Sequence, residues 1–360
     1  MLTFPADYLE RVYAAMARQF GASDDEAMVF SRHRLTADLR GKDTQGIASL
    51  PLAYRKLRSG AARFGVSIKV VKEGPGFAIV DGDHGLGQIV STRAMKIAIE
   101  KAQRSGVAGA WVRHTNDFGM AGYYAMLALD HGCIGVVMSN GIPLVAPWGG
   151  RDALFGTNPI CIAIPANQEF PIVIDMSASA VSHGKVVLAA RDGKRLEGPL
   201  LVDEGGRVTD DPVPFIVDAS DRDSPQRGAI LAMGPKGFGW LLFVDVLAGI
   251  LSGMTSSQDV SPSPTAQTPS TIGHFLMAID VGALMPLSEF TTKVDDLIRG
   301  VKGSRLAEGF AEIVLPGERA AREEERRRRE GIPIREEDWR NVVAIARELD
   351  LDLEALRSAV

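Results

Sequence analysis

The chemistry open to this 360-residue chain is bounded first by what its side chains do not form. Six histidines (His33, His84, His114, His131, His183, His274) are scattered, and Cys133 and Cys161 are not paired as C-x-x-C, so no metal site is expected. A G-x-S-x-G elbow is absent, which argues against a hydrolase. Asp81-Gly82-Asp83-His84-Gly85-Leu86-Gly87 follows a strand-like run and precedes a helix. Its glycines miss the G-x-G-x-x-G order, and no acidic residue follows at the usual distance, so it reads as a glycine-rich turn and not as a Rossmann loop. Phe155-Gly156-Thr157-Asn158-Pro159 and Ile174-Asp175-Met176-Ser177-Ala178-Ser179-Ala180 are more informative. In the second, a buried strand runs into small and hydroxylated residues. That brings backbone N–H groups and hydroxyls close to a ligand and suits pyrophosphate or ribose, although turn chemistry alone explains it equally well.

The elements that must carry these residues follow from periodicity. Residues from about Pro5 to Gly60 read as helices, with Asp7 or Ser23 as caps and apolar residues at three-four spacing through Leu9, Val12, Tyr13 and Met16. Near Ile68 the pattern changes to short β-rich runs: Ile68–Val71, Ala78–Val80, Ala110–Arg113, Ile134–Met138, Ile160–Ile164 and Ile172–Asp175. Helices are expected at Gln88–Ser105 and Gly119–His131. A polar excursion runs from Gly205 to Arg227, then a buried helix from Gly237 to Gly253 and a Ser/Pro/Thr-rich loop from Ser256 to Thr271. A strand at His274–Asp280 and helices from Leu287 onward complete the chain. The class is α/β, with a mixed α+β arrangement. The division expected is residues 1–72 plus 286–360 as a helical domain built from both termini, and 73–285 as the mixed-sheet catalytic region.

Composition narrows the partners. A hydrophobic fraction of 46%, a charged fraction of 24% and a net charge of −5 describe a globular chain with no basic stripe for nucleic acid. The run Arg326–Arg329 follows Glu323–Glu325 and reads as a solvated helix face. Two cysteines give no disulfide framework, the first residues lack a signal-peptide pattern, and the apolar run Phe238–Leu251 contains Asp245 and is short for a bilayer. A cytoplasmic protein without a membrane or nucleic-acid partner is expected.

The order of motifs from about Phe30 to Glu318 resembles the malate/L-lactate dehydrogenase family. Its landmarks include Ala37-Asp38-Leu39-Arg40-Gly41, Leu50-Pro51, Asn116 with Phe118-Gly119, Pro147-Trp148-Gly149-Gly150, Gly156-Thr157-Asn158-Pro159, Ile174-Asp175-Met176 with Ser179, Gly184-Lys185, Lys236-Gly237, Gly273-His274-Phe275 and Leu315-Pro316-Gly317-Glu318. The resemblance implies an L-sulfolactate dehydrogenase-like, non-Rossmann fold and a homodimer with active sites near the subunit interface. It also implies NAD or NADP as cofactor, with contacts on Ile174, Asp175, Met176, Ser177, Ala178, Ser179 and Ala180, on Pro235 and Lys236, and on Gly317, Glu318 and Arg319. Lys236 suits a phosphate or carboxamide contact, and His183 lies where it could favour a 2′-phosphate or simply sit at the surface.

The departures fall at the substrate side. Family members usually carry Ser-His-Gly followed two residues later by Arg; here Thr44-Gln45-Gly46-Ile47-Ala48-Ser49 puts Gln45 for the proton-donor histidine and Ser49 for the carboxylate-gripping arginine. A second histidine is replaced by Asp117, beside Asn116, and the tyrosine after Leu-Pro-x by Ala53, with Tyr54 adjacent. Glutamine can donate a hydrogen bond to a developing alkoxide but supplies no proton at neutral pH. Asp117 could be the acid only if its pKa rose by roughly 3 units, at about 4 kcal/mol. His114 would have to reach from the opposite strand face. Ionised, Asp117 would instead stabilise an iminium. Losing the arginine removes a bidentate contact of about 1.5–3 kcal/mol, unless Lys42 or Arg55 reaches in. Three readings follow: an oxidoreductase of a small 2-hydroxy/2-oxo acid with Gln45 and Asp117 as catalytic residues and Ser49, Tyr54 and Asn116 at the substrate; an imine or cyclic imino-acid reductase with Asp117 as counter-ion; or a cofactor-binding protein with little catalysis.

Overall fold

The computed structural model describes residues 1–215, 227–262, 264–265 and 267–358. A helical layer opens the chain. Strand β1 (Leu2–Phe4) leads into helix α1 (Ala6–Gln19), whose buried face carries Leu9, Val12, Tyr13 and Met16 as the periodicity requires. Helix α2 (Asp24–Leu39) starts at Ser23 in a capping box with Glu26, and α3 (Leu50–Arg58) starts with Pro51 in its first turn. The far end of the chain returns to this layer. Helix α9 (Glu318–Glu330) lies against α2, strand β12 (Ile332–Ile334) pairs antiparallel with β1, and α10 (Glu336–Glu348) and α11 (Leu353–Ser358) pack on α3 and α1. One apolar core, including Tyr8, Leu9, Phe30, Leu39, Ile332 and Val342, joins the two ends.

A seven-stranded mixed sheet carries the rest, in the order β2-β3-β4-β11-β5-β6-β7. Its strands are β2 (Lys69–Gly74), β3 (Phe77–Gly85), β4 (Val107–Thr115), β5 (Cys133–Ser139), β6 (Pro159–Ile164), β7 (Ile172–Ser177) and β11 (His274–Asp280). Only β3 and β4 run parallel, joined by α4 (Gly87–Ser105), which covers one sheet face with α5 (Ala121–Leu127). A smaller unit of α6 (His183–Arg191) and strands β8 (Leu201–Val202), β9 (Val208–Thr209) and β10 (Ala229–Ile230) packs beside β7 with α7 (Gly234–Val244). The excursion expected at 205–227 lies partly outside the described residues.

Three expectations change. Helix α8 (Leu287–Lys302) belongs with the sheet and not with the helical layer, because Asp295 accepts the backbone N–H groups of Asn167, Gln168 and Glu169. The helix expected as buried near Gly237–Gly253 buries only Gly237, Leu241 and Val244 along α7. Trp240 and Phe243 of α7, and Val246, Ile250 and Leu251 of its continuation to Ser252, are exposed, so apolar composition here marks a surface face. The C-terminal helices are interrupted by β12, whose Ile-Pro-Ile is too short to announce a strand.

Candidate functional site

The site starts from α2, which carries His33, Arg34 and Asp38 on its buried face. Asp38 accepts the Ile47 N–H at 2.9 Å and the Tyr13 hydroxyl, and burial raises its pKa to about 7. Gly46 passes so close that any Cβ would land on the Asp38 carboxylate. The chain from Asp43 to Ser49 is therefore pinned to α2 in two short 3-10 turns. Arg34 completes the fastening. Its Nη1 donates to Gly46 O at 3.1 Å and Ser49 Oγ at 2.8 Å, and its Cζ lies over the Phe30 ring, 4.5 Å from the centroid.

Opposite stands the turn Asn116–Met120 between β4 and α5. Asn116 donates to Ala61 O at 3.1 Å, and its carbonyl faces His274 Nε2 at 2.9 Å. The Met120 N–H donates to His33 Nε2 at 3.1 Å. Phe118 is stacked between His274, 4.4 Å away, and Tyr124. Burial pushes His33 down to about 3 and His274 to about 4, so both imidazoles are neutral near pH 7. Each is fixed as one tautomer by its backbone partner: His33 Nε2 accepts, and His274 Nε2 donates. These two histidines hold the turn bearing Asp117. Their spacing in sequence gave no hint of a shared task.

Between the two walls lies a cleft of about 390 Å³, counting its open mouth. It brings together Gln45, Ser49, Asn116 and Asp117 with Arg34, Lys56 and Gln88. Lys56 Nζ pairs with Asp117 Oδ2; the lysine is 14% exposed and the aspartate 46%. Arg34 Nε, Gln88 Oε1 and Asn116 Oδ1 are buried without a hydrogen-bond partner among the described residues, so the cleft wall retains unmet donors and acceptors.

Tyr54, expected at the substrate, is not in this cleft. Successive helix residues turn by about 100°, so with Ala53 facing the cleft, Tyr54 points to α10. Its hydroxyl meets Glu348, and Arg58 lies over its ring. His114 is held elsewhere by Asp81 at 2.8 Å, and Lys42 turns to Asp175 at 3.4 Å. The cations in the cleft are Arg34 and Lys56, neither of which the motif comparison singled out.

The expected nucleotide segments converge on the edge strand β7. At its start, the Val173 N–H donates to Pro316 O at 3.0 Å, which sets Gly317, Glu318 and Arg319 alongside. Buried Glu318 pairs with Lys302 and Arg322 and accepts the Leu315 N–H, so it braces the turn, while Arg319 is exposed. At its end, Ala178 O accepts the Met233 N–H and Ala180 N–H donates to Leu231 O, placing Pro235 and Lys236 next to Ser177–Ala180. The Ala178 N–H is held by Thr157 O. The strand end thus offers the half-buried Ser177 hydroxyl, which accepts from buried Ser179 Oγ at 2.9 Å, in place of the free amides expected there. Lys236 is exposed with no ion pair among the described residues. Two exposed cations, Arg319 and Lys236, at the two ends of β7 with the Ser177 hydroxyl between them suit the phosphates and a ribose of a nicotinamide nucleotide. The loop 42–46 joins this strand to the cleft. Lys42 pairs with Asp175, Thr44 packs on Gly184 of α6 next to His183, and Gln45 enters the cleft.

This non-Rossmann mixed sheet, with a helical layer from both chain ends, is L-sulfolactate dehydrogenase-like. The solved sulfolactate dehydrogenase from Methanocaldococcus jannaschii superposes with a TM-score of 0.88 at 33% identity, covering 98% of this chain and 99% of that one. The chain belongs to the malate/L-lactate dehydrogenase family, whose model matches residues 4–343. A malate dehydrogenase of Pyrococcus horikoshii is 36% identical over 330 residues, 92% of this chain and 91% of the relative. A delta1-piperideine-2-carboxylate reductase from Pseudomonas syringae superposes with a TM-score of 0.82 at 30% identity, covering 96% and 100% of the two chains.

Proposed function

We propose that the protein is a cytoplasmic NAD- or NADP-dependent oxidoreductase that interconverts a small 2-oxo acid and its 2-hydroxy acid. The observation that carries this reading is the Lys56–Asp117 pair, set in a cleft joined by one loop to strand β7. Ketone reduction needs a hydride at carbon and a proton at oxygen. A bound nicotinamide nucleotide supplies the hydride. Lys56 Nζ gives the proton to the developing alkoxide and is left as an amine, reprotonated from solvent past half-exposed Asp117; oxidation reverses these transfers. The Gln45 side-chain amide donates a hydrogen bond to the same oxygen, and with Lys56 as the acid Asp117 is needed only as its ion-pair partner.

The same pair weighs against the imine reading, for which the Pseudomonas syringae reductase is the point in favour. Asp117 already has a cation, and an iminium entering the cleft would meet the Lys56 ammonium. Two like charges 4 Å apart repel by about 4 kcal/mol at an effective dielectric of 20.

Titration of the protein with NADH and NADPH separately, followed by a panel of 2-oxo acids and cyclic imines, tests the proposal. Turnover of a 2-oxo acid is expected. Failure to bind either nucleotide would refute it, turnover of imines alone would favour the second reading, and tight nucleotide binding with no turnover would favour a binding protein. The exposed apolar face around Trp240 and Phe243 suits a second copy of the chain, giving the proposed homodimer.

A further inference from the structure

We infer that Arg34 is the carboxylate anchor of the cleft, the guanidinium having moved from loop position 49 to helix α2. Arg34 is assigned on top of the 2-oxo acid reading above and adds the residue that selects an acid over its uncharged analogues. The side chain is 2% exposed, yet no carboxylate lies within ion-pair distance among the described residues. A buried cation without an anion is costly, which makes a helix interior an unfavourable place for it unless a ligand supplies the charge. Asp117 in the cleft is engaged by Lys56, and Asp38, one turn along α2, acts on Arg34 only from beyond ion-pair distance while its carboxylate is held by Ile47 N–H and the Tyr13 hydroxyl.

Orientation supports the assignment. Nη1 is occupied by Gly46 O and Ser49 Oγ, and Cζ sits over the Phe30 ring at 4.5 Å, so the guanidinium is held on two sides. Nε and Nη2 find no acceptor among the described residues. Together they form the side edge of the fork, whose two parallel N–H groups match the two oxygens of a carboxylate. Ser49 cannot grip an acid, but its hydroxyl is placed to hold the arginine that does. Ser49 is thus a positioning residue, and the serine and the buried arginine are two halves of one exchange.

The test uses oxamate, a small amide-carboxylate, and its neutral counterpart oxamide, titrated calorimetrically into the protein saturated with nucleotide. Turnover is not needed, so a protein that binds oxamate but reduces no 2-oxo acid would defeat the proposed reaction and leave the anchor standing. Wild type is expected to bind oxamate well above oxamide. Arg34→Met should weaken oxamate about 10- to 150-fold and leave oxamide unchanged. Arg34→Lys, which keeps the charge and most of the packing, should fall between, and it serves if the methionine variant does not fold. Adding Ser49→Arg to Arg34→Met should restore most of the oxamate affinity, a result no loop brace would give. Equal loss for both probes, equal binding by wild type and Arg34→Lys, or no oxamate binding by wild type would overturn the assignment.

Discussion

Replacing Lys56 with methionine separates its proton from its bulk. The stem keeps its length, and Asp117 loses its partner. Because Asp117 is 46% exposed, water solvates the released carboxylate, and the stability lost is about 1 kcal/mol or less. The kinetic loss should be far larger: a positioned general acid contributes about 10²–10⁴-fold, or roughly 2.7–5.5 kcal/mol of barrier. Steady-state reduction of the preferred 2-oxo acid, followed by nucleotide absorbance, should show kcat reduced by that factor with KM within about threefold. Propylamine added to Lys56→Ala should return part of the rate, since the shortened side chain vacates the room that the amine fills. Asp117→Asn added to Lys56→Met should cost little more, because the two residues act as one unit. A Lys56→Met enzyme with kcat within threefold of wild type would refute the proton-donor role. So would a large fall in kcat matched by an equal fall in stability.

Further outcomes follow from the same geometry. Near pH 5 the unfolded chain protonates His33 and His274, whereas the folded protein holds both neutral and keeps Asp38 protonated; the unfolded state binds about one proton more. The histidine contribution is present above pH 6.5 and lost as pH falls toward 3–4, while that of Asp38 runs the other way, fading as pH rises through about 7. Urea unfolding should therefore show net stability falling by about 1.4 kcal/mol per pH unit below pH 6, and a flat profile would contradict the burial assigned to these groups. Gly119→Ala forces a side chain at φ +74° against the His33 ring and should cost about 2–4 kcal/mol by urea midpoint, together with a loss of turnover. Trp240→Glu with Phe243→Glu should convert a dimer to a monomer in sedimentation; an unchanged mass would place the interface elsewhere. Lys236→Ala should raise the nucleotide Kd about 10-fold with no change in melting temperature, and an unaltered Kd would remove it from the phosphate contacts.

The sheet was legible because its strands are β-branched and bounded by glycine; the expected His274–Asp280 coincides with β11. The segments expected to hold a nucleotide were legible as motifs, and the structure gathers them on β7. The cleft was half legible. Gln45, Ser49, Asn116 and Asp117 were reached by asking what replaced expected residues, and they do line one cavity. Arg34 and Lys56 replace nothing in a motif and were therefore missed. Arg34 nonetheless left a trace: it follows Ala27 and Phe30 and precedes Ala37 at three-four spacing, so a charged residue occupies a core position of α2. The clamp formed by His33 and His274 joins residues brought together only by tertiary packing, which periodicity cannot express.

The pairing of β1 with β12 also sets a timetable. Leu2 finds Ile334, and the loop beneath the cleft is backed by α9, where Arg327 Nη1 reaches Asp38 O at 2.5 Å and Asp43 Oδ1 at 2.6 Å. During synthesis at about 5–20 residues per second, α2 and its loop wait on the order of tens of seconds for this support. The sheet can close first, since β11 is already translated when α9 emerges. A chain released before α9 would carry the whole sheet and lack the footing of Arg34 and Gln45. A product ending before α9 should therefore show no turnover, and an assay of the truncated chain beside the full one checks it.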